Sequence, residues 1–196
     1  MSVDKEVAIG KSVEYFAGNT MAADIWVDKY ALRDANGNLL ESSPDDMHKR
    51  LTFAFHDIEQ MHKNPMSEQE IWELFEDFRY VIPQGSPMAA IGDTHRLQSL
   101  SNCFVVASPE DSYGGICLAD QELVQIMKRR GGVGMDISTI RPKGMPTSNA
   151  ARTTDGIGVF MKRFSTSCRE VAQGGRRGSL MLTCNVHHPE IETFIS

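Results

Sequence analysis

Beyond residue 80 the chain alternates strand-like and helix-like stretches one for one, and this alternation limits its fold more than any other feature. "SLSNCFVVAS" is an apolar strand, "ADQELVQIMKRR" a helix, and "GGVGMDISTI" a glycine-led strand. A polar loop, "RPKGMPTSNAARTTDG", then leads to a helix, "IGVFMKRFSTSCREVAQ", and a strand, "SLMLTCNVHHP". Strands separated by single helices require crossover connections, which predicts parallel pairing with right-handed βαβ units. Pro189 at a first helical position, with Glu190 and Glu192 in the first turn, opens one further helix. An array of about three βα units leaves open edges and half-covered faces. The expectation is therefore an α/β unit over residues 81–196 that is incomplete within this chain.

Residues 1–80 read differently, as a helical domain. "EVAIGKSVEYFA" and "ADIWVDKYAL" are short amphipathic stretches, and "RDANGN" is a turn or hairpin tip. "SSPDDMHKRLTFAFHDIEQMHK" begins with a serine cap before Pro44, Asp45 and Asp46, and Leu51, Phe55, Ile58 and His62 recur at helical spacing. In "NPMSEQEIWELFEDFRYV", Ser67 and Glu70 form a capping box ahead of Ile71, Leu74, Phe75 and Phe78. A packing scaffold without chemistry of its own accounts for this region.

Composition excludes several classes of function. The 196 residues carry a formal net charge of −6, which argues against broad affinity for DNA or RNA. Inside this acidic chain, "QGGRRGS" concentrates two cations among glycines and suits a small phosphorylated ligand. Cys103, Cys117, Cys168 and Cys184 are widely spaced, with no CxxC, so no metal site is expected. No signal peptide is evident and no apolar run reaches the ~18 residues that span a bilayer, so a cytoplasmic protein with free thiols and no membrane partner is expected.

Candidate chemistry lies in the loops. "GGVG", Gly131 to Gly134, follows a helix and so is not a dinucleotide fingerprint; it serves either close approach of a ligand to bare backbone or tight strand packing. "IRPKG" puts Arg141 and Lys143 at a strand end, where two cations suit a triphosphate as well as a solvated loop. Asp111 in "PEDSYGG" either accepts ribose hydroxyls or makes a turn or helix cap. Cys103 starts a strand after Ser101 and Asn102, as a small buried hydrophobe or as a reactive thiol. His187 and His188 are adjacent on a strand and would face opposite ways, so they are not read as a metal pair.

Together these motifs resemble the first half of the ribonucleotide reductase large subunit. The resemblance runs through "SLSNCFVV", "EDSYGGI", "RRGGVGMDISTIRPKG", "TTDGIGVFMKRF", "REVAQGGRRGSLMLT" and "HHPEIETFI", and the helical region is similar to that family's N-terminal domain. It implies the first part of a ten-stranded α/β barrel. It implies that Cys103 is a reducing cysteine, forming a disulfide with a second cysteine as the substrate's 2′-hydroxyl leaves as water. By the same resemblance Ser86, Ser101 and Asn102 meet substrate phosphates, and Gly132 and Val133 meet the substrate base. Asp111 and Arg141, with Lys143, hold a dNTP or ATP effector. "PKGMPTSNAARTTDG" corresponds to a first specificity loop; Gln173, Gly174, Gly175, Arg176, Arg177 and Gly178 correspond to a second, in which Gln173 and Arg177 link effector to ribonucleotide substrate.

The family's radical cysteine, with its neighbouring asparagine and glutamate, and its partner redox cysteine have no counterpart in these residues. The expectation is a truncated or split enzyme, inactive without a C-terminal complement and served by a thioredoxin-type reductant. "SNCFVV" and "KRRGGVG" lean towards adenosylcobalamin-dependent members, with a metal-radical small subunit as the alternative. Two other functions compete: a catalytically inactive nucleotide-binding regulator, and an RNA-binding segment at "GGRRG".

Overall fold

A computed structural model describes residues 2–171 and 178–196. The chain divides into two compact units, Met1–Leu100 and Ser101–Ser196. Sequence character changes near residue 80, but the first unit runs on because Met88, Ala89 and Ala90 are buried, with Met88 in its core.

The first unit is helical: α1 (Lys5–Tyr15), α2 (Thr20–Lys29), α3 (Pro44–Glu59), α4 (Glu68–Phe75), a 3-10 turn at Glu76–Phe78, and α5 (Gly85–Ala90). Side chains satisfy the exposed amides at helix starts. Asp4 caps α1, Asn19 caps α2, and Ser67 with Glu70 forms the expected capping box on α4. Ser43 stands at the α3 cap position but makes no side-chain capping bond; instead Asp46 accepts the Ser42 amide and hydroxyl at 2.9 and 2.7 Å. The buried stripe of α3 is Met47, His48, Leu51 and Thr52, whereas Phe55 and Ile58 remain exposed. "RDANGN" is a turn as expected: Arg33 and Leu39 bridge antiparallel, and Asp34 Oδ1 accepts the amides of Asn36 and Asn38.

His48 is fully buried among Tyr15, Trp72 and Phe78, and among the described residues neither ring nitrogen has a hydrogen-bond partner. Burial disfavours its charged form and lowers its pKa from 6.5 to about 4, against a smaller opposing pull from Asp77. Between those values the unfolded chain takes up a proton that the folded unit refuses, so stability falls as pH drops from 6.5 towards 4. The full loss attributable to His48 is about 3 kcal/mol. Denaturant unfolding at pH 7 and pH 4.5 should show a drop that His48→Leu largely removes; an equal drop in the variant would refute this assignment. Asp45, whose carboxyl is raised by burial, works in the opposite sense.

The second unit contains β1 (Cys103–Val105), α6 (Tyr113–Met127), β2 (Gly132–Asp136), α7 (Ile157–Glu170), β3 (Leu180–Thr183) and α8 (Ile191–Ile195). The strands are parallel in the order β1-β2-β3, as the alternation predicts. Pro189 lies two residues before α8 and Glu190 takes its cap position, so Pro189 does not open the helix. His187 and His188 fall in the turn after β3, not on a strand.

The register gives the sheet two different faces. Phe104, Val133, Met135, Leu180 and Leu182 alternate onto the side packed by Ile116, Leu123 and Met127 of α6 and Ile157 and Phe164 of α7. Burying each such side chain contributes about 1.5–3 kcal/mol. The opposite face carries Cys103, Val105, Gly132, Gly134, Met181 and Thr183, and Val105 is 90% exposed. A mixed helical and sheet chain with an open three-stranded sheet is what the described residues form.

Candidate functional site

Two places in the second unit concentrate the residues singled out by sequence. The first is the uncovered sheet face. Cys103 is exposed there, which excludes its reading as a buried small hydrophobe. It pairs in register with Gly132, and Val105 with Gly134, so bare backbone separates these side chains from Met181. A side chain at Gly132 would press on Ser179 at 3.2 Å, whereas Gly134 has only ordinary contacts. Tight packing and a bare floor both hold for this stretch. Val133 contributes backbone alone, because its side chain lies in the helix-covered core. The Gly132 amide is bonded to Asn102 O at 2.6 Å and the Val133 amide to Ser179 O at 2.9 Å. Ser101 is exposed and Asn102 half-buried just before the strand. Ser86 belongs to the first unit, fully buried on α5.

The second place is a cavity of about 260 Å³ beyond the C-terminal ends of β1 and β2, where open α/β sheets bind ligands. The starts of α6 and α7 and the loop after Arg141 line it, with Tyr113 and Phe160 as an edge-to-face aromatic pair 6.1 Å apart. At its polar end Arg141 Nε donates to Asp111 Oδ2 at 2.7 Å, and the Arg141 amide donates to Asp111 Oδ1 at 3.1 Å. Arg141 Nη2 reaches Asp111 O at 3.3 Å and Nη1 reaches Pro146 O at 2.5 Å. Three of the five guanidinium donors thus go to oxygens of the described residues. Both groups are about one-third exposed, so they meet the cavity as well as each other. Asp111 is not the helix cap: Ser112 is, accepting the Gly115 amide at 3.0 Å. Lys143 is exposed and does not line the cavity; its amide donates to Glu190.

The loop read as "RPKGMPTSNAARTTDG" pairs with itself. Pro146 and Thr153 bridge antiparallel, Gly144 and Met145 bond with Thr154, and Arg152 turns the tip at a φ of 66°. Thr147, Ser148, Asn149, Thr153 and Thr154 line the cavity from this hairpin.

Sequence reasoning missed His188 and Glu190. His188 is buried, its Nε2 2.9 Å from Ile140 O and its Nδ1 accepting the Glu190 amide at 3.1 Å. The Glu190 carboxylate reaches both ends of the hairpin. The available signal was Gly156, a cap position without a side chain, which implies a capping group from elsewhere.

Gln173, Gly174, Gly175, Arg176 and Arg177 lie outside the described residues. Their described flanks, Val171 and Gly178, sit at the C-terminal end of α7, whose opposite end lines the cavity about 21 Å away along the helix. Gly178 packs closely: a side chain there would meet Cys168 O at 2.7 Å. Among the described residues no group of three or more His, Cys, Asp or Glu could hold a metal ion, and no helix is long and apolar enough to cross a membrane.

The second unit thus combines a parallel sheet, a cavity beyond its C-terminal strand ends and an exposed thiol on its open face. Residues 101–196, the whole second unit, match the family model described as ribonucleotide reductase, barrel domain. Similarity extends over the first unit as well. The chain is 31% identical over 172 residues to the ribonucleoside-diphosphate reductase large chain 2 of Saccharomyces cerevisiae, covering 85% of this chain and 18% of that protein. It is 26% identical over 199 residues to the large subunit of Arabidopsis thaliana, covering 98% and 22%. It is also 26% identical over 178 residues to the vitamin B12-dependent ribonucleoside-diphosphate reductase of Mycobacterium tuberculosis, covering 89% and 25%. The chain therefore spans about a fifth to a quarter of the length of these curated relatives. The leaning to the adenosylcobalamin class finds only partial support, because relatives with and without that designation match comparably.

Proposed function

We propose that this chain is part of the catalytic large subunit of a ribonucleotide reductase, and that it carries one reducing thiol and the binding cavity for a deoxynucleoside triphosphate effector. The observation that carries this reading is the Asp111–Arg141 pair at the mouth of the cavity, within a unit that matches the reductase barrel. A carboxylate beside a guanidinium suits a nucleotide: Asp111 accepts from ribose hydroxyls, and the remaining donors of Arg141 meet phosphate oxygens. The hairpin's hydroxyls and amides line the same space.

On the open face, Cys103 supplies one of the two thiols whose oxidation to a disulfide provides two electrons. Ser101 and Asn102 hold the substrate phosphates, and the backbone at Gly132 and Val133 meets the base. Residues 173–178, which follow α7 in sequence, couple the two places, with Gln173 and Arg177 linking effector to substrate; the first turn of α7 lines the cavity. The radical cysteine and the second redox cysteine are supplied by the rest of the subunit, and a thioredoxin-type protein restores the thiols. Adenosylcobalamin is the radical source to test first, followed by a metal-radical small subunit.

Calorimetric titration with dTTP tests the cavity. Losing a charge-assisted contact costs about 1.5–3 kcal/mol, so Arg141→Ala should weaken dTTP binding roughly ten- to a hundred-fold. Unchanged affinity would place the effector elsewhere.

A further inference from the structure

The loop that lines the cavity is held at its base by a residue far away in sequence. Glu190 Oε2 accepts the amide of Lys143 and the amide of Ile157, each at 3.0 Å. These two amides flank the hairpin, so a single carboxylate oxygen grips both of its ends. Ile157 is also the first residue of α7, whose own cap position, Gly156, has no side chain. Glu190 therefore supplies the missing cap and places a negative charge where the helix dipole favours it.

The surroundings fix Glu190 in turn. The Glu190 amide donates to His188 Nδ1, so the ring proton sits on Nε2, which donates to Ile140 O. Ile140 immediately precedes Arg141. Gly156 keeps the space clear: its φ is +81°, and a side chain there would lie 2.2–2.7 Å from the Glu190 carboxylate.

We infer that Glu190 is a positioning residue for the nucleotide cavity, holding the 144–154 hairpin in the geometry that presents Arg141 and the hairpin hydroxyls to a triphosphate. The inference rests on the effector reading of the cavity, but the grip itself is testable without ligand.

Three variants separate the possibilities. Glu190→Gln keeps an acceptor oxygen and removes the charge; Glu190→Ala removes both. Gly156→Ala displaces the carboxylate from the other side. In hydrogen exchange on the ligand-free protein, peptides containing the Lys143 and Ile157 amides should exchange about tenfold faster or more in Glu190→Ala and Gly156→Ala. They should stay near the unmutated rate in Glu190→Gln, and the Val133 amide in β2 should be unaffected throughout. In dTTP titrations, affinity should fall roughly tenfold in the first two variants and stay within about twofold in Glu190→Gln.

A purely electrostatic role predicts the reverse, since removing a negative charge by either substitution at 190 should tighten triphosphate binding. Unchanged exchange at residues 143 and 157 in Glu190→Ala, or tighter binding in both Glu190 variants, would overturn the inference. General destabilisation, which also overturns it, would expose Val133 as well. If the unmutated protein binds no dTTP, the cavity reading fails, and the exchange rates alone decide whether Glu190 grips the hairpin.

Discussion

A large subunit carrying Cys103→Ser should complete no sustained turnover, with steady-state ribonucleotide reduction reduced by at least about a thousandfold, the scale on which loss of an essential reacting group is measured. The reason is electron supply. Each reduction consumes two electrons from a pair of thiols, and a hydroxyl cannot replace one sulfur of a disulfide. Cys103 is the exposed cysteine on the uncovered sheet face, beside the bare backbone of Gly132 and Gly134. Cys117 is also exposed, but on α6, and Cys168 is buried in the core between sheet and helices. Cys117→Ser and Cys168→Ser should therefore leave turnover close to normal. Product assays over many equivalents check this, and steady turnover in Cys103→Ser would remove the residue from the reaction.

Arg50→Ala should destabilise the first unit by about 3–5 kcal/mol, the cost of leaving one partner of a buried ion pair uncompensated. Arg50 and Glu41 have side chains only 9% and 5% exposed, with Nε 2.7 Å from Oε1. The guanidinium also donates to Met88 O at 3.1 Å and to Ile91 O, tying α3 to α5 and the residue that follows it. Glu41 Oε2 accepts the Leu32 amide at 2.7 Å and so ties in the turn region. One planar fork thus joins three segments, which a lysine cannot reproduce. Since small domains are stable by only ~5–15 kcal/mol, the loss should be visible as a large drop in the denaturant midpoint. Glu41→Ala should do the same. A change below about 1 kcal/mol in either would mean that water already screens the pair.

The parallel sheet was legible in the sequence because one helix between successive strands admits few connections. The capping box of α4 was legible for a similar reason, since both partners lie within one turn. What escaped depends on contacts distant in sequence. Phe55 and Ile58 have helical spacing, yet α3 turns Met47 and His48 inward instead, and periodicity alone does not choose the face. The 144–154 hairpin looks like loop because its strand pairing is short and carried by polar residues and Pro146. Asp111 beside Ser112 reads as a turn or cap, and only the fold shows that Ser112 caps while Asp111 meets Arg141. Glu190 reaches Ile157 across 33 positions, which no local pattern encodes.

The proposed reducing role of Cys103 is tested most directly by its oxidation state after one turnover. The large subunit, freed of external reductant, is allowed to convert a single equivalent of ribonucleotide and is then alkylated and digested. Cys103 should become resistant to alkylation in proportion to the deoxyribonucleotide formed, and reactive again after thioredoxin or dithiothreitol is added. Product formation with Cys103 still fully alkylated would contradict it, and dTTP binding without any product would favour a regulatory nucleotide-binding protein instead.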